Sequence, residues 1–336
     1  MGSGSWDSRL YASSGSTRKA KGIDDFQYSK DQLNASPDQR RIHPDLDPTK
    51  IKDSVNHLRE SRDSTEHPDS LAIKVDFDVT GSMSSVPEIY QKSLGKLMSF
   101  LIMKGGVEHP QIQIGAIGDT NSDDFPYQVG QFESDNKIDE QLRKVILEGG
   151  GGGQVHESYA LSLYMASKLT AIDCFDKRGK KGYLFISGDE MPYEVLTRNE
   201  IKKYFAINEE KDYTMQELVD MASEKYEIYF ILPALTNYFN DPRITNAWKK
   251  YLGERVLRLE QPSAICELIA STIALNEGSD IDDVVNGLKA IGSDNGSLNA
   301  TTKALAHVTK GLSTKGSAKI TSPIPISNNK DSIQRL

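Results

Sequence analysis

From Leu71 to about Leu275 the chain alternates short apolar runs with stretches whose apolar residues recur every three to four positions. LAIKVDFD (71–78), QIQIGAIG (111–118), GYLFIS (182–187), EIYFILP (227–233) and RVLRLE (255–260) predict strands, and YQVGQF (127–132) alternates like a half-exposed edge strand. Between them, Ile89, Leu94, Leu97, Met98, Leu101 and Ile102 recur at helical spacing. Ser85 is placed to cap that helix, Pro87 falls in its first turn, and Gly105-Gly106 ends it. Ile138, Leu142, Val145 and Ile146 predict a second helix, and residues 157–169 a third. Thr214-Met-Gln-Glu217 is a capping box opening a helix to about Tyr226, and residues 262–275 form the last of the series. Strands alternating with helices of 10–16 residues imply a mainly parallel sheet covered on both faces.

The flanking segments break this pattern. Residues 1–69 carry eleven Lys/Arg against twelve Asp/Glu and no periodic apolar signal, so they read as a disordered or loosely docked arm. One aromatic island, GIDDFQYS with Phe26 and Tyr28, offers that arm a docking point, and Ile51–Glu60 a short helix. Residues 277–310 suggest a further helical segment and 311–336 a disordered tail, leaving 70–276 as the folded domain. The apolar share of 37% is low for one compact body of 336 residues, in keeping with such arms.

Charge and composition narrow the classes. A net charge of −8 argues against a nucleic-acid-binding surface. No apolar run approaches the roughly 20 residues that span a bilayer, and the first residues lack an apolar leader. Cys174 and Cys266 stand far apart and form no metal-spaced cluster. The expectation is a cytoplasmic protein with reduced thiols and no membrane partner, in which the Asn-x-Ser/Thr triplets at Asn34, Asn295 and Asn299 carry no weight.

Ligands of open α/β sheets sit beyond the carboxyl ends of the strands, so the loops there carry the chemistry. The first strand runs into Asp78-Val-Thr80-Gly-Ser82, a carboxylate and two hydroxyls at alternate positions. GYLFIS runs into Gly188-Asp189-Glu190, which delivers a second carboxylate. A third loop holds the glycine run 149–153 followed by Gln154-Val-His156-Glu157. Oxygen donors of this kind suit a hard divalent ion, Mg²⁺ or Mn²⁺.

The Asp78-x-Thr80-x-Ser82 pattern resembles the metal-ion-dependent adhesion motif of the von Willebrand factor A domain, and the resemblance covers roughly residues 70–275. It implies a Rossmann-like open α/β sheet, mostly parallel with one antiparallel edge strand, helices on both faces, and a metal at its top. It further implies that Thr80 and Ser82 bind the ion directly, with Asp78 and Asp189 holding it mainly through water. An acidic side chain of a partner protein would then fill the open coordination position. Members inside cells often serve as adaptors for ring ATPases or other assemblies, so an ATPase partner is implied as well. The family places a Thr in the middle loop; here Gln154 or His156 occupies that region, and His would favour a transition metal. The glycines allow close backbone approach or serve as a hinge.

Val75-Asp76-Phe77-Asp78-Val79-Thr80-Gly81 also resembles the first motif of haloacid-dehalogenase-type phosphatases. In that reading Asp76 is the nucleophile, Asp78 the general acid, and Mg²⁺ bridges the charges. Ser82 and the glycine-rich loop have no part in the phosphatase motif, which favours the interaction module over the phosphohydrolase. A metal-free scaffold is the third reading. His156-Glu157 is no zinc-protease helix, since Ala160 stands where a second His is needed. Asp119, Asp123 and Asp124 read as a solvated turn that borders the site, and Pro192 and Tyr193 as packing residues at its rim.

Overall fold

The computed structural model describes residues 4–53, 57–83, 85–150 and 155–315, with side chains as far as Ala306. Six strands build the central sheet: β1 (Leu71–Asp78), β2 (Pro110–Ile117), β3 (Tyr127–Val129), β4 (Gly182–Ser187), β5 (Tyr226–Pro233) and β6 (Val256–Leu259). Helices before the third strand are α1 (Ser8–Ala20), α2 (Gln27–Asn34) and α3 (Val86–Met103). They are followed by α4 (Lys137–Leu142), α5 (Ala160–Lys168), α6 (Arg198–Phe205), α7 (Met215–Lys225) and α8 (Pro242–Leu252). The C-terminal part adds α9 (Ile265–Asn276), α10 (Ile281–Ala290) and α11 (Asn295–Lys315).

The sheet order is β6-β5-β4-β1-β2-β3, parallel throughout except for β3, which runs antiparallel to β2. This is the Rossmann-like arrangement expected from the sequence. The strand order reverses between β1 and β4, which pair from Ile73↔Tyr183 to Phe77↔Ser187. Such a switch point opens a crevice between the diverging loops at the strands' carboxyl ends. The pleat gives β1 two faces. Phe77 stacks on Tyr90 of α3, with ring centroids 5.1 Å apart, and α9 packs beside α3. Asp78 meets Tyr159, the residue preceding α5, on the opposite face, where α7 packs on α5.

That second face is unusual in carrying a buried charge pair. Lys74 and Asp76 are both fully buried; Lys74 Nζ donates to Asp76 Oδ1 at 2.8 Å and to Tyr127 OH at 2.9 Å, while Tyr127 OH donates to Asp76 Oδ2 at 2.9 Å. Both Asp76 oxygens are thus engaged, and the Lys74 charge is matched inside the core, as a buried ion must be.

The amino-terminal segment corrects the expectation of a disordered or loosely docked arm. Residues 8–20 and 27–34 are helical, and Phe26, Leu46 and Ile51 lie in the hydrophobic core at 5%, 0% and 1% exposure. Three well-placed apolar residues in a polar stretch leave no periodic signal, yet they suffice to anchor it. Leu46 O accepts Val129 N at 2.8 Å, so the segment continues the hydrogen bonding of β3 and buries a strand expected to be half-exposed. In place of a helix over Ile51–Glu60, a 3-10 turn spans Pro48–Asp53 and Arg59–Ser61 pairs with Thr170–Ile172. Residues 157–169 are also not one helix: His156–Glu157 is a short strand parallel to Met191–Pro192, and α5 begins at Ala160. Helices α6 and α8 are additional to the expected elements, and both open on caps, the Thr197/Glu200 box and Asp241 before Pro242. At the carboxyl end α11 runs to Lys315, four residues past the expected start of the tail at 311; residues 316–336 lie outside the described ones. Among the described residues no helix is long and apolar enough to cross a membrane.

Candidate functional site

Asp78 closes β1, and the chain then turns through a 3-10 segment, Gly81–Met83. The turn brings its oxygens into a chain. Asp78 Oδ1 accepts Thr80 N at 2.7 Å and Thr80 Oγ1 at 2.5 Å; Thr80 Oγ1 lies 3.1 Å from Ser82 Oγ; Ser82 Oγ donates to Asp189 Oδ1 at 2.6 Å. Asp189 stands two residues beyond β4, so the chain crosses the switch point. The other carboxylate oxygens are held too, Asp78 Oδ2 by Tyr159 OH at 3.0 Å and Asp189 Oδ2 by Tyr238 N at 3.1 Å. All four side chains are buried. The loop after β5 seals one flank, because Asn237 N donates to Ser82 O at 3.3 Å next to Tyr238.

Two glycines permit this crowding. Gly81 N donates to Gly150 O at 2.8 Å, and a Cβ on Gly81 would stand 2.7 Å from Gly149 O. A Cβ on Gly188 would fall 2.0 Å from Tyr159 OH, the group that holds Asp78. The start of the glycine run therefore packs directly on the hydroxyl loop. Its base is fixed by Leu147 N to Ser29 Oγ at 2.8 Å and by Glu148, whose carboxylate accepts Asp124 N and Phe125 N. Residues 151–154 lie outside the described ones, and Gln154 with them.

His156 and Glu157 part company at this point. Neighbouring residues of a strand face opposite ways. His156 is half-buried and stacks on Tyr193, with ring centroids 5.4 Å apart, whereas Glu157 is 1% exposed and lies among the acids. Glu190, next to Asp189, is 6% exposed and accepts a hydrogen bond from the Glu157 carboxyl. Neither residue is among the donors expected from the sequence. Reading 156–157 as a strand would have separated the two side chains.

Burial and mutual repulsion dominate the electrostatics. Burial pushes Asp78 up to about 7, against the hydrogen bonds from Thr80 and with Asp189 adding repulsion. Glu190 rises to about 8 through burial, then Asp78 and Asp189; Glu157 rises to about 12 through burial, then Asp78 and Glu190. Asp189 is raised by burial in spite of Ser82 and Tyr238 N. Among the described residues none of these four carboxylates forms an ion pair with Lys, Arg or His, and Glu157 Oε2 and Glu190 Oε2 are buried without a hydrogen-bond partner. An all-oxygen donor set with surplus negative charge and two orphaned acceptors fits a hard divalent cation. Among the described residues no group of three or more His, Cys, Asp or Glu side chains is arranged to hold a metal ion, so the Thr80 and Ser82 hydroxyls would have to contribute.

The remaining candidates are not hydrogen-bonded into this chain of oxygens, although Asp119 and Asp123 add to the repulsion on Glu157. Asp76 is bound up in the core with Lys74 and Tyr127. Asp119 and Asp123 build a turn at the end of β2, where Asp119 N donates to Asp123 Oδ2 at 2.7 Å and Asn121 N to Asp119 Oδ1 at 3.0 Å. Asp119 is fully buried and not solvated. Cys174 and Cys266 are buried free thiols, both with raised pKa through burial.

No known protein family and no curated protein matches this sequence. Among solved structures the chain is similar to the pilus adhesin SpaC from Lactobacillus rhamnosus GG, at 11% identity and a TM-score of 0.45, over 64% of this chain and 32% of the adhesin. It is also similar to proximal thread matrix protein 1 from the mussel byssus, at 12% identity and a TM-score of 0.40, over 61% of this chain and 46% of that protein. The chain thus spans about a third of the adhesin's length and under half of the byssus protein's.

Proposed function

We propose that this chain is a divalent-cation-dependent protein-interaction module of the von Willebrand factor A type, acting as an adaptor in a multiprotein assembly rather than as an enzyme. The observation that carries the reading is the run of oxygens from Asp78 through Thr80 and Ser82 to Asp189 across the switch point of the sheet. When bound there, Mg²⁺ or Mn²⁺ would supply a Lewis-acidic position able to accept a carboxylate from a partner protein. This chain's own part is to hold the hydroxyls. Asp78 and Asp189 accept from Thr80 and Ser82 and so aim their oxygen lone pairs, while Tyr159 OH and Tyr238 N keep the two carboxylates from turning.

The phosphohydrolase reading finds less support. A nucleophilic Asp76 would need a bare oxygen facing the substrate, yet both of its oxygens accept hydrogen bonds within the core and its exposure is 0%. The test uses the full chain. Mg²⁺ is expected to raise its melting temperature reversibly, EDTA to abolish the rise, and Asp78→Asn or Ser82→Ala to remove it. Release of phosphate from a generic aryl phosphate, lost on Asp76→Asn, would overturn the proposal.

A further inference from the structure

The acceptor capacity of the site is unevenly spent. Both oxygens of Asp78 and both of Asp189 already receive hydrogen bonds from the protein. The vacancies lie on Glu157 and Glu190, each more than nine-tenths buried and each with Oε2 unpartnered. The two come from different loops that the pairing of His156–Glu157 with Met191–Pro192 brings side by side. Among the described residues no Lys, Arg or His pairs with either glutamate; the Glu157 carboxyl donates to Glu190, a proton that a cation would replace, and the Oε2 atoms are left free to ligate it.

We propose that Glu157 and Glu190 are the direct carboxylate ligands of the cation, while Asp78 and Asp189 act as positioning residues that orient the Thr80 and Ser82 hydroxyls. This inference rests on the cation-dependent reading above and assigns its ligands. Mg²⁺ and Mn²⁺ take one or two carboxylates and complete their shells with water and neutral oxygens, which matches two glutamates and two hydroxyls. The softer donor in the same loop points elsewhere, since His156 stacks on Tyr193. The site therefore selects oxygen-loving ions over Zn²⁺ or Ni²⁺. Two direct carboxylates also neutralise a dication, so a partner's acid gains less there than at a site ligated by hydroxyls alone.

The experiment is Mn²⁺ titration of the full chain, followed by loss of the free-ion electron paramagnetic resonance signal, on wild type, Glu157→Gln, Glu190→Gln and Ser82→Ala. Glutamine keeps the shape and removes the charge, so both Gln variants are expected to melt no lower than wild type in EDTA. Each is expected to weaken Mn²⁺ binding by more than about a hundredfold, beyond the roughly ten- to hundredfold typical of residues that only orient ligands. Binding unchanged in both Gln variants but lost in Ser82→Ala overturns this assignment and leaves the hydroxyl-loop reading standing. Binding lost in the Gln variants and untouched by Ser82→Ala supports the glutamates and counts against that loop. Failure of wild type to bind Mn²⁺ at millimolar concentration overturns both.

Discussion

Ser82 donates a 2.6 Å hydrogen bond to Asp189 across 107 residues of sequence, tying the loop after β1 to the loop after β4. The bond is buried, and the Asp189 carboxylate is also held by Tyr238 N on its other oxygen and by Thr236 and Asn237 N of the same loop. Ser82→Ala removes the hydroxyl donor to Asp189 Oδ1. A buried acceptor stripped of its partner costs about 1–3 kcal/mol. Urea unfolding in EDTA is expected to show that loss, with Ser82→Thr, which keeps the hydroxyl, recovering part of it.

The Lys74–Asp76 pair makes a second, independent demand on the core. Among the described residues, Lys74→Met removes the one cation paired with a fully buried carboxylate whose other side-chain partner is Tyr127. Breaking one side of such a pair costs roughly 3–5 kcal/mol, whereas replacing both sides by apolar groups is often neutral. Chemical denaturation should therefore find Lys74→Met far less stable than the double change Lys74→Met/Asp76→Leu. Equal stability of the two variants would show that the pair is not buried as described.

Glu157, Glu190 and Asp78 make stability in the absence of cations depend on pH in a definite sense. Their folded pKa values, about 12, 8 and 7, lie above the ordinary 4.5, 4.5 and 3.8. As pH rises past about 4 the unfolded chain gives up these protons while the folded chain keeps them, so the folded state binds more protons and its stability falls as pH increases. The decline runs from about pH 4 through 7 for Asp78, to 8 for Glu190, and beyond for Glu157. Urea midpoints measured in EDTA between pH 5 and 8 should fall more steeply for wild type than for Glu157→Gln. Saturating Mg²⁺ should flatten the wild-type slope, because the ion replaces the protons.

The arm offers a test away from the site. Phe26 is buried at 5% exposure and Leu46 covers the β3 edge through Val129 N. Phe26→Ala is expected to cost about 3–5 kcal/mol. Deleting residues 1–53 uncovers a sheet edge, which invites pairing with a second chain. Light scattering of the truncated chain at rising concentration checks this, and a monodisperse monomer of full stability would refute it.

How far the sequence speaks depends on what kind of signal each element carries. The strands LAIKVDFD and GYLFIS and the helix from Val86 are legible from their apolar period, although the Ser85 side chain forms no capping hydrogen bond, and their alternation alone yields the parallel sheet. Asp78, Thr80, Ser82 and Asp189 are legible because their strands end next to one another at the switch point. The arm was not legible, since Phe26, Leu46 and Ile51 pack by tertiary contact from a segment with no period of its own. Nor were Glu157 and Glu190. A two-residue strand leaves no alternation to count, and His156 drew notice as a metal ligand while its neighbour is the residue turned toward the acids. Helix α8 does carry a legible opening, Asp241 before Pro242.

The central claim is that oxygens converging at the carboxyl ends of β1 and β4 hold one dication. Crystals of the full chain soaked in Mn²⁺ and measured at the manganese edge test it most directly. The account expects a single strong anomalous peak at about 2.0–2.3 Å from the hydroxyl oxygens of Thr80 and Ser82. A map with no peak there, or with manganese bound only at other surface carboxylates, would contradict it.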